Sequence, residues 1–294
     1  MQNVYNVMNT ILSSKQVAEI LGVNESSVKR WADNGMLNCF KTPGGHRKFK
    51  KEDLLLFSSK YSFELKSDIN DSSLEKKQNN DVDFRIIVDL LYKKLFVASE
   101  SEITDFLYSL HLSGISLVEL YDNVIAKTMF KVGEKWKHKE ITVAQEHIAA
   151  NKIIKSLIKL HDKIASMPFN GLKALCGSLE DEFHELSLLS VSNVLNYYGW
   201  KVVYVGANVP LKAFQSSINE HKPDIVCLST TIINNPKKFM SDIGKLYSAA
   251  NTAGSKLLLG GIGVNKLDTS SLKTDELLKN TDGLIKYLKQ NFPF

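Results

Sequence analysis

The chain has 294 residues, 44% of them hydrophobic and 23% charged, with a formal net charge of +5. That length exceeds one ordinary core and predicts two or three domains. The absence of any apolar run of about 18 residues, and of a basic-then-apolar leader with a cleavage site, argues against a membrane-spanning or secreted chain. Three widely spaced cysteines, Cys39, Cys176 and Cys227, form no CxxC pair. They indicate neither a disulfide framework nor a zinc site, and a reducing cytoplasm is the simplest compartment. The net charge is mild, so local clustering decides the choice of partner.

The first elements, within residues 1–65, read as short helices around tight turns. In SSKQVAEILGVNESSVKRWADNGML, Ser13 or Ser14 can cap one helix, Gly22 supplies a turn, and Asn24 can cap the next. Val17, Ile20, Leu21, Val28 and Trp31 fall where they would hold the two helices together. Ser26, Ser27, Lys29 and Arg30 are left outward, on the helix that would enter a major groove. The next run, KTPGGHRKFKK, carries Lys41, His46, Arg47, Lys48, Lys50 and Lys51 around a Pro43-Gly44-Gly45 turn with no acid between them. A basic hairpin beside such a helix pair is a wing that can hold phosphates of a double-stranded DNA operator. Alone, the helix pair would be an ordinary αα-hairpin and the charge run a solvated loop. In this order they point to DNA. The residues VAEILGVNESSVKRW and GGHRKF resemble the MerR family of winged-helix regulators, a signature shared with excisionase-type proteins, so the resemblance implies DNA binding but not regulation by itself.

Residues 66–81 (KSDINDSSLEKKQNND) are polar, nearly free of large apolar groups, and read as a linker. Over 82–167 apolar residues recur at helical spacing: Ile86, Leu90, Leu91, Leu95, then Leu117, Leu120, Val124, then Ile148, Ile153, Leu157. Four helices would make a small bundle. From 168 to 294 the rhythm changes. Leu172 to Cys176, Val202 to Val205, Ile225 to Ser229 and Leu257 to Leu259 alternate with helical stretches, the βαβ pattern of a doubly wound, Rossmann-like parallel sheet.

Ligands of such sheets sit beyond the carboxyl ends of the strands, so the loops there carry the chemistry. The first, GSLEDEFHELS, sets Glu182 two residues before His184; a neutral imidazole is a good metal ligand, and a nearby carboxylate fixes its tautomer. The next informative loops are Ser229-Thr230-Thr231, small hydroxyls, and Gly260-Gly261-Ile262-Gly263, where missing side chains allow close approach of a large group. Singly, a histidine there is usually structural and a glycine pair usually a turn. Together they resemble the cobalamin-binding domain, whose signature is Asp-x-His-x-x-Gly, then Ser-x-Leu, then Gly-Gly. The resemblance implies that His184 is the lower axial ligand of cobalt and that Ser187, Ser229, Thr231, Gly260 and Gly261 lie along the displaced nucleotide tail. Two positions depart from the signature: Glu182 stands for the aspartate and Ser187 for the glycine.

A helical bundle before such a domain occurs in corrinoid methyltransferases and in light-sensing regulators of the CarH and LitR type. The stretch VGEKWKHKEITVAQEHIAANKI resembles the latter: Trp136 is followed ten positions later by Glu146-His147. The resemblance implies that these three close over the upper adenosyl group of adenosylcobalamin. Some of these photoreceptors have a histidine directly after the tryptophan; here that position is Lys137, with His138 about 100° further round a helix. The expectation is a non-enzymatic, cytoplasmic DNA-binding regulator, dimeric or tetrameric, that switches assembly and DNA affinity with light. Two alternatives stay open: a regulator that has lost cobalamin and answers another ligand or partner, and a corrinoid carrier for methyl transfer.

Overall fold

The computed structural model describes residues 11–50, 53–54, 57–58, 82–267 and 269–292. The linker expected over 66–81, and Lys51, lie outside them. The chain divides into two compact units, Met1–Lys93 and Lys94–Phe294. The helical region from Lys94 onward and the α/β region fall in the second unit.

In the first unit β1 (Ile11–Ser13) leads into α1 (Ser14–Leu21) and α2 (Glu25–Asp33). Ser13 caps α1 through a capping box with Gln16, and Gly22 ends it at φ 66°, a left-handed backbone that glycine adopts without a Cβ penalty. Asn24 occupies the N-cap of α2 but its side chain makes no capping bond, contrary to expectation; its carbonyl closes the turn instead, accepting from the Ser27 amide at 3.0 Å. β2 (Phe40–Lys41) and β3 (Arg47–Lys50) form an antiparallel hairpin, and β1 pairs with the other edge of β3. Leu12, Val17, Leu21, Val28, Leu37, Phe49 and Leu54 make the core, with Ile20 and Trp31 partly buried against it. Trp31 also packs on Phe57, ring centroids 4.9 Å apart.

The second unit begins inside α3 (Phe84–Val97), followed by α4 (Glu100–Leu112), α5 (Leu117–Glu119), a π-helical turn Leu120–Ile125, α6 (Ala126–Lys137) and α7 (Val143–Lys163). The buried stripe of α7 is Ala149, Ile153, Leu157 and Leu160. Ile148, expected inside, is 54% exposed because it sits one residue, about 100°, off that stripe. No helix among the described residues is long and apolar enough to cross a membrane.

The α/β region runs β4 (Lys173–Leu179), α8 (Leu186–Tyr197), β5 (Lys201–Val209), α9 (Leu211–His221), β6 (Ile225–Ser229), α10 (Pro236–Thr252), β7 (Lys256–Gly260), β8 (Glu276–Leu278) and α11 (Thr281–Asn291). The five strands are parallel in the order β5-β4-β6-β7-β8. Only β8 escapes the sequence pattern, because three residues at a sheet edge are too few to show a period. Strand alternation sends Leu175, Val226, Leu228, Leu257 and Leu259 to one face, where they bury Phe214, Ile243 and Leu246 of α9 and α10. The opposite face takes Cys176, Cys227 and Leu258, all buried. In this order β4 and β6 are neighbours, so the Glu182 loop and the Ser229 loop emerge side by side.

Candidate functional site

The Glu182 side chain, 4% exposed, turns back under the loop that follows β4. One carboxylate oxygen accepts from His184 twice, from the backbone amide at 2.8 Å and from Nδ1 at 2.6 Å. The other oxygen accepts from the amides of Thr231, in a very short bond, and Ile232, at 3.1 Å, both beyond β6. Burial alone would raise the Glu182 pKa; the His184 side chain, the Thr231 amide, the His184 amide and the Ile232 amide together reverse that and hold it down to about 2. The carboxylate stays charged and acceptor-only, which requires Nδ1 of His184 to carry the ring proton. Nε2 is then the uncommitted nitrogen of a side chain 52% exposed.

The Glu182 hydrogen bond raises the His184 pKa, burial opposes it, and the charges of Glu182 and Glu146 add to the rise. Glu146 lies in the first turn of α7, capped by Thr142 through a box with Gln145, and its carboxylate takes Nδ1 of His147 at 2.5 Å. The Glu146-His147 pair thus lies within electrostatic reach of the His184 loop. Trp136 stands on the last turn of α6, 50% exposed, and among the described residues no hydrogen bond or ring contact ties it to Glu146, His147 or His184. His138 caps the end of α6, its Nε2 3.7 Å from Glu134, while Lys137 lies 3.8 Å from the same carboxylate. Large apolar side chains stay exposed on α6 (Phe130), α7 (Val143, Ile148) and the strand-end loops (Phe183, Ile232, Ile262).

The remaining loop residues act in two ways. Thr231 contributes its backbone amide, not its hydroxyl, to Glu182. Gly261 has φ 102°, and a Cβ there would fall 2.1 Å from the Thr230 carbonyl oxygen. Its lack of a side chain serves loop-on-loop packing, fastened by Thr230 N to Gly260 O at 3.0 Å and Gly263 N to Thr230 O at 3.1 Å. Ser187 is exposed in the first turn of α8. Ser229 is 6% exposed and Ser178 of β4, absent from the sequence signature, is 0% exposed; among the described residues the Oγ of neither has a hydrogen-bond partner. Register pairs Gly177 with Leu228, so Ser178 and Ser229 are neighbours on the α8 face of the sheet. No spacing rule would have found Ser178 or the Ile232 amide, because both depend on β4 and β6 being adjacent. A cleft of about 50 Å³ between the ends of β4 and β6 and the start of α10 has room for a few waters only.

In the first unit Ser26, Lys29 and Arg30 are exposed on α2, Ser27 is half-buried, and Lys41 and His46 are exposed on the hairpin with Lys48 half-buried. Arg47 is committed within the unit: its guanidinium meets Asp33 of α2 at 2.5 Å.

A helix-turn-helix domain model matches residues 11–58, and two models described as B12 binding domains match 89–160 and 172–277. The first is coarser than the MerR resemblance drawn from the sequence. The chain is 23% identical over 253 residues to the HTH-type transcriptional repressor CarH of Myxococcus xanthus, covering 79% of this chain and 83% of that one. It is 30% identical over 126 residues to the HTH-type transcriptional repressor CarA of the same species, 43% of each chain. Among solved structures, the monomethylamine corrinoid protein of Methanosarcina barkeri matches with a TM-score of 0.57 at 16% identity, over 70% of this chain and 99% of that one, a likeness of fold. These matches, laid on the geometry above, give a chain in which a helix-turn-helix domain is followed by two B12 binding domains and which is similar over most of its length to the repressor CarH.

Proposed function

We propose that this chain is a cytoplasmic, non-enzymatic transcription regulator that binds a DNA operator as a dimer or tetramer and senses adenosylcobalamin, with light as the signal. The observation that carries the reading is the Glu182–His184 couple. A carboxylate on Nδ1 fixes the tautomer and raises the basicity of Nε2, the arrangement that orients metal-ligating histidines.

The donor set fits a corrin. Among the described residues no cluster of three His, Cys, Asp or Glu could hold a bare metal ion. A single oriented imidazole suits a metal whose other ligands arrive with a macrocycle. The unpartnered hydroxyls of Ser178 and Ser229 are buried polar groups that a nucleotide tail would satisfy, and such groups are costly when left unpaired. Ser187, being exposed, does not fill the interior, and Gly260 and Gly261 keep the neighbouring loop close. Trp136, Glu146 and His147 would cover the upper face. Bound adenosylcobalamin supplies a light-labile cobalt–carbon bond. The part of the chain is to hold the lower nitrogen fixed, shield the upper face, and alter the seating of α6 and α7 when their contacts change, a ligand switch acting through a bistable interface.

In the first unit the β2–β3 hairpin is read as a wing. Lys41, His46 and Lys48 face phosphates, Ser26, Ser27, Lys29 and Arg30 enter the groove, and paired half-sites multiply the affinity of one small module. The test is an absorption spectrum of the full chain loaded with adenosylcobalamin in darkness, desalted, and read again after green light, with operator retention on a gel in both states. A retained His-ligated spectrum that changes with light, together with a change in DNA retention, supports the reading. Cobalamin retained without DNA binding favours a corrinoid carrier. DNA binding without cobalamin favours a regulator answering another ligand.

A further inference from the structure

The π-helical turn Leu120–Ile125 carries two consecutive side chains that cross to the α/β region. The Tyr121 hydroxyl, on a residue 3% exposed, accepts from Asn193 Nδ2 of α8 at 3.0 Å. The same amide group donates to the Leu157 carbonyl of α7 at 3.2 Å. Asp122 spends both carboxylate oxygens on the start of α11, one on the Thr281 amide and one on the Asp282 amide, each at 3.0 Å. These are amides a helix leaves unpaired at its N-terminus, and a carboxylate there also meets the positive end of the helix dipole.

Neighbouring side chains on an α-helix diverge by about 100°. A π turn holds more residues per turn, which narrows that divergence and lets adjacent residues reach two helices of one neighbour. Asn193 is 5% exposed, so its amide is satisfied only while the helical region is seated in this register. α6 continues directly from the turn at Ala126, and its last turn holds Trp136.

We propose that the π-helical turn is the joint that seats the helical region on the sheet, and that Tyr121 and Asp122 are positioning residues setting where α6 carries Trp136 relative to the His184 loop. The mechanical part stands on the bonds above; its meaning for the upper ligand rests on the function proposed here. Asp122→Asn places an amide nitrogen against one of the two α11 amides, Tyr121→Phe removes one acceptor from Asn193, and Asn193→Ala breaks the same bond from the other side.

The experiment uses the full chain, first without cofactor. Hydrogen–deuterium exchange in Asp122→Asn is expected to rise at least tenfold in residues 126–137 and at the start of α11, with β4 to β7 unchanged, and Asn193→Ala combined with Tyr121→Phe should do no more to α6 than Asn193→Ala alone. Unchanged exchange in α6, or a uniform rise across the sheet, overturns the joint. Affinities for adenosylcobalamin and hydroxocobalamin are then compared. The preference for the adenosyl form should fall at least fivefold in Asp122→Asn with hydroxocobalamin affinity unchanged; an intact preference alongside faster α6 exchange overturns the positioning of Trp136. If the unmodified chain takes neither cobalamin, the functional reading fails and the exchange result alone decides the joint.

Discussion

Replacing Glu182 by glutamine keeps the volume of the side chain and removes the charge and one acceptor. Four N–H groups converge on its two oxygens, two from His184 and two from the amides of Thr231 and Ile232. A glutamine oxygen can serve one pair, but its amide nitrogen then faces the other pair donor to donor. Hydrogen bonds to charged groups contribute about 1.5–3 kcal/mol each, so stranding two of them costs about 3 kcal/mol or more, shared between loop stability and His184 orientation. Loss of such an outer partner lowers metal affinity about 10–100-fold, and that is the drop expected for cobalamin in a dark titration followed by absorbance. Thermal unfolding of the cofactor-free chain should show the remainder as a lowered Tm. The pH dependence has a definite sign. The Glu182 pKa is held down to about 2, below its ordinary value of 4.5, so the stabilisation from its ionised form is complete above 4.5 and is lost as the pH falls toward 2. Because Glu182 also raises the His184 pKa, the Tm deficit of Glu182→Gln should grow as the pH falls from neutral through the histidine range, and should shrink only as the pH falls below 4.5 toward 2. Equal affinity and equal Tm at neutral pH would refute the claim that this carboxylate organises both loops.

His184→Ala should abolish the His-ligated spectrum of bound cobalamin while leaving the fold, since the side chain is half exposed; an unchanged spectrum would remove the residue from the metal. Trp136→Ala should leave cobalamin bound but reduce preference for the adenosyl form, measured by competition with hydroxocobalamin, and equal adenosyl affinity would end its role as a cover. Arg47→Ala should weaken DNA binding across all sequences and lower the salt slope by about 1 if Arg47 reaches a phosphate. Asp33→Ala separates the two roles of that arginine: with its intramolecular partner gone, binding measured by gel shift should hold or rise if Arg47 serves phosphate, and fall if the Arg47–Asp33 pair instead fixes the hairpin on α2.

The helix-turn-helix was legible because its signals are local: a capping serine, a left-handed glycine, a core set by short spacing, and a basic run around a turn. The parallel sheet was legible for a similar reason, since buried strands read as apolar runs between helical stretches. Ile148 shows where periodicity fails. On α7 a shift of one position moves a side chain about 100°, and sequence alone does not say which of two adjacent apolar residues, Ile148 or Ala149, faces inward. Asn24 illustrates another limit: residue type marks a cap position, but the backbone can close the turn without the side chain.

For the site, the Glu182-x-His184 spacing was sufficient to suggest an oriented imidazole, because two residues apart on one loop leave little freedom. The second half of the clamp was hidden. The amides of Thr231 and Ile232 come from a loop about fifty residues away, brought alongside only because β6 pairs with β4 rather than with β5, its predecessor in the chain. The same pairing sets Ser178 beside Ser229, and the π turn brings Tyr121 and Asp122 to Asn193 and α11. Local spacing and hydrophobic period carried the helix-turn-helix head, the strand-and-helix rhythm, and the pairing of an imidazole with a carboxylate two residues before it. Which backbone amides and hydroxyls complete the site follows from the folded strand order, because those groups are common to every residue or to many and acquire meaning only when that order makes them neighbours.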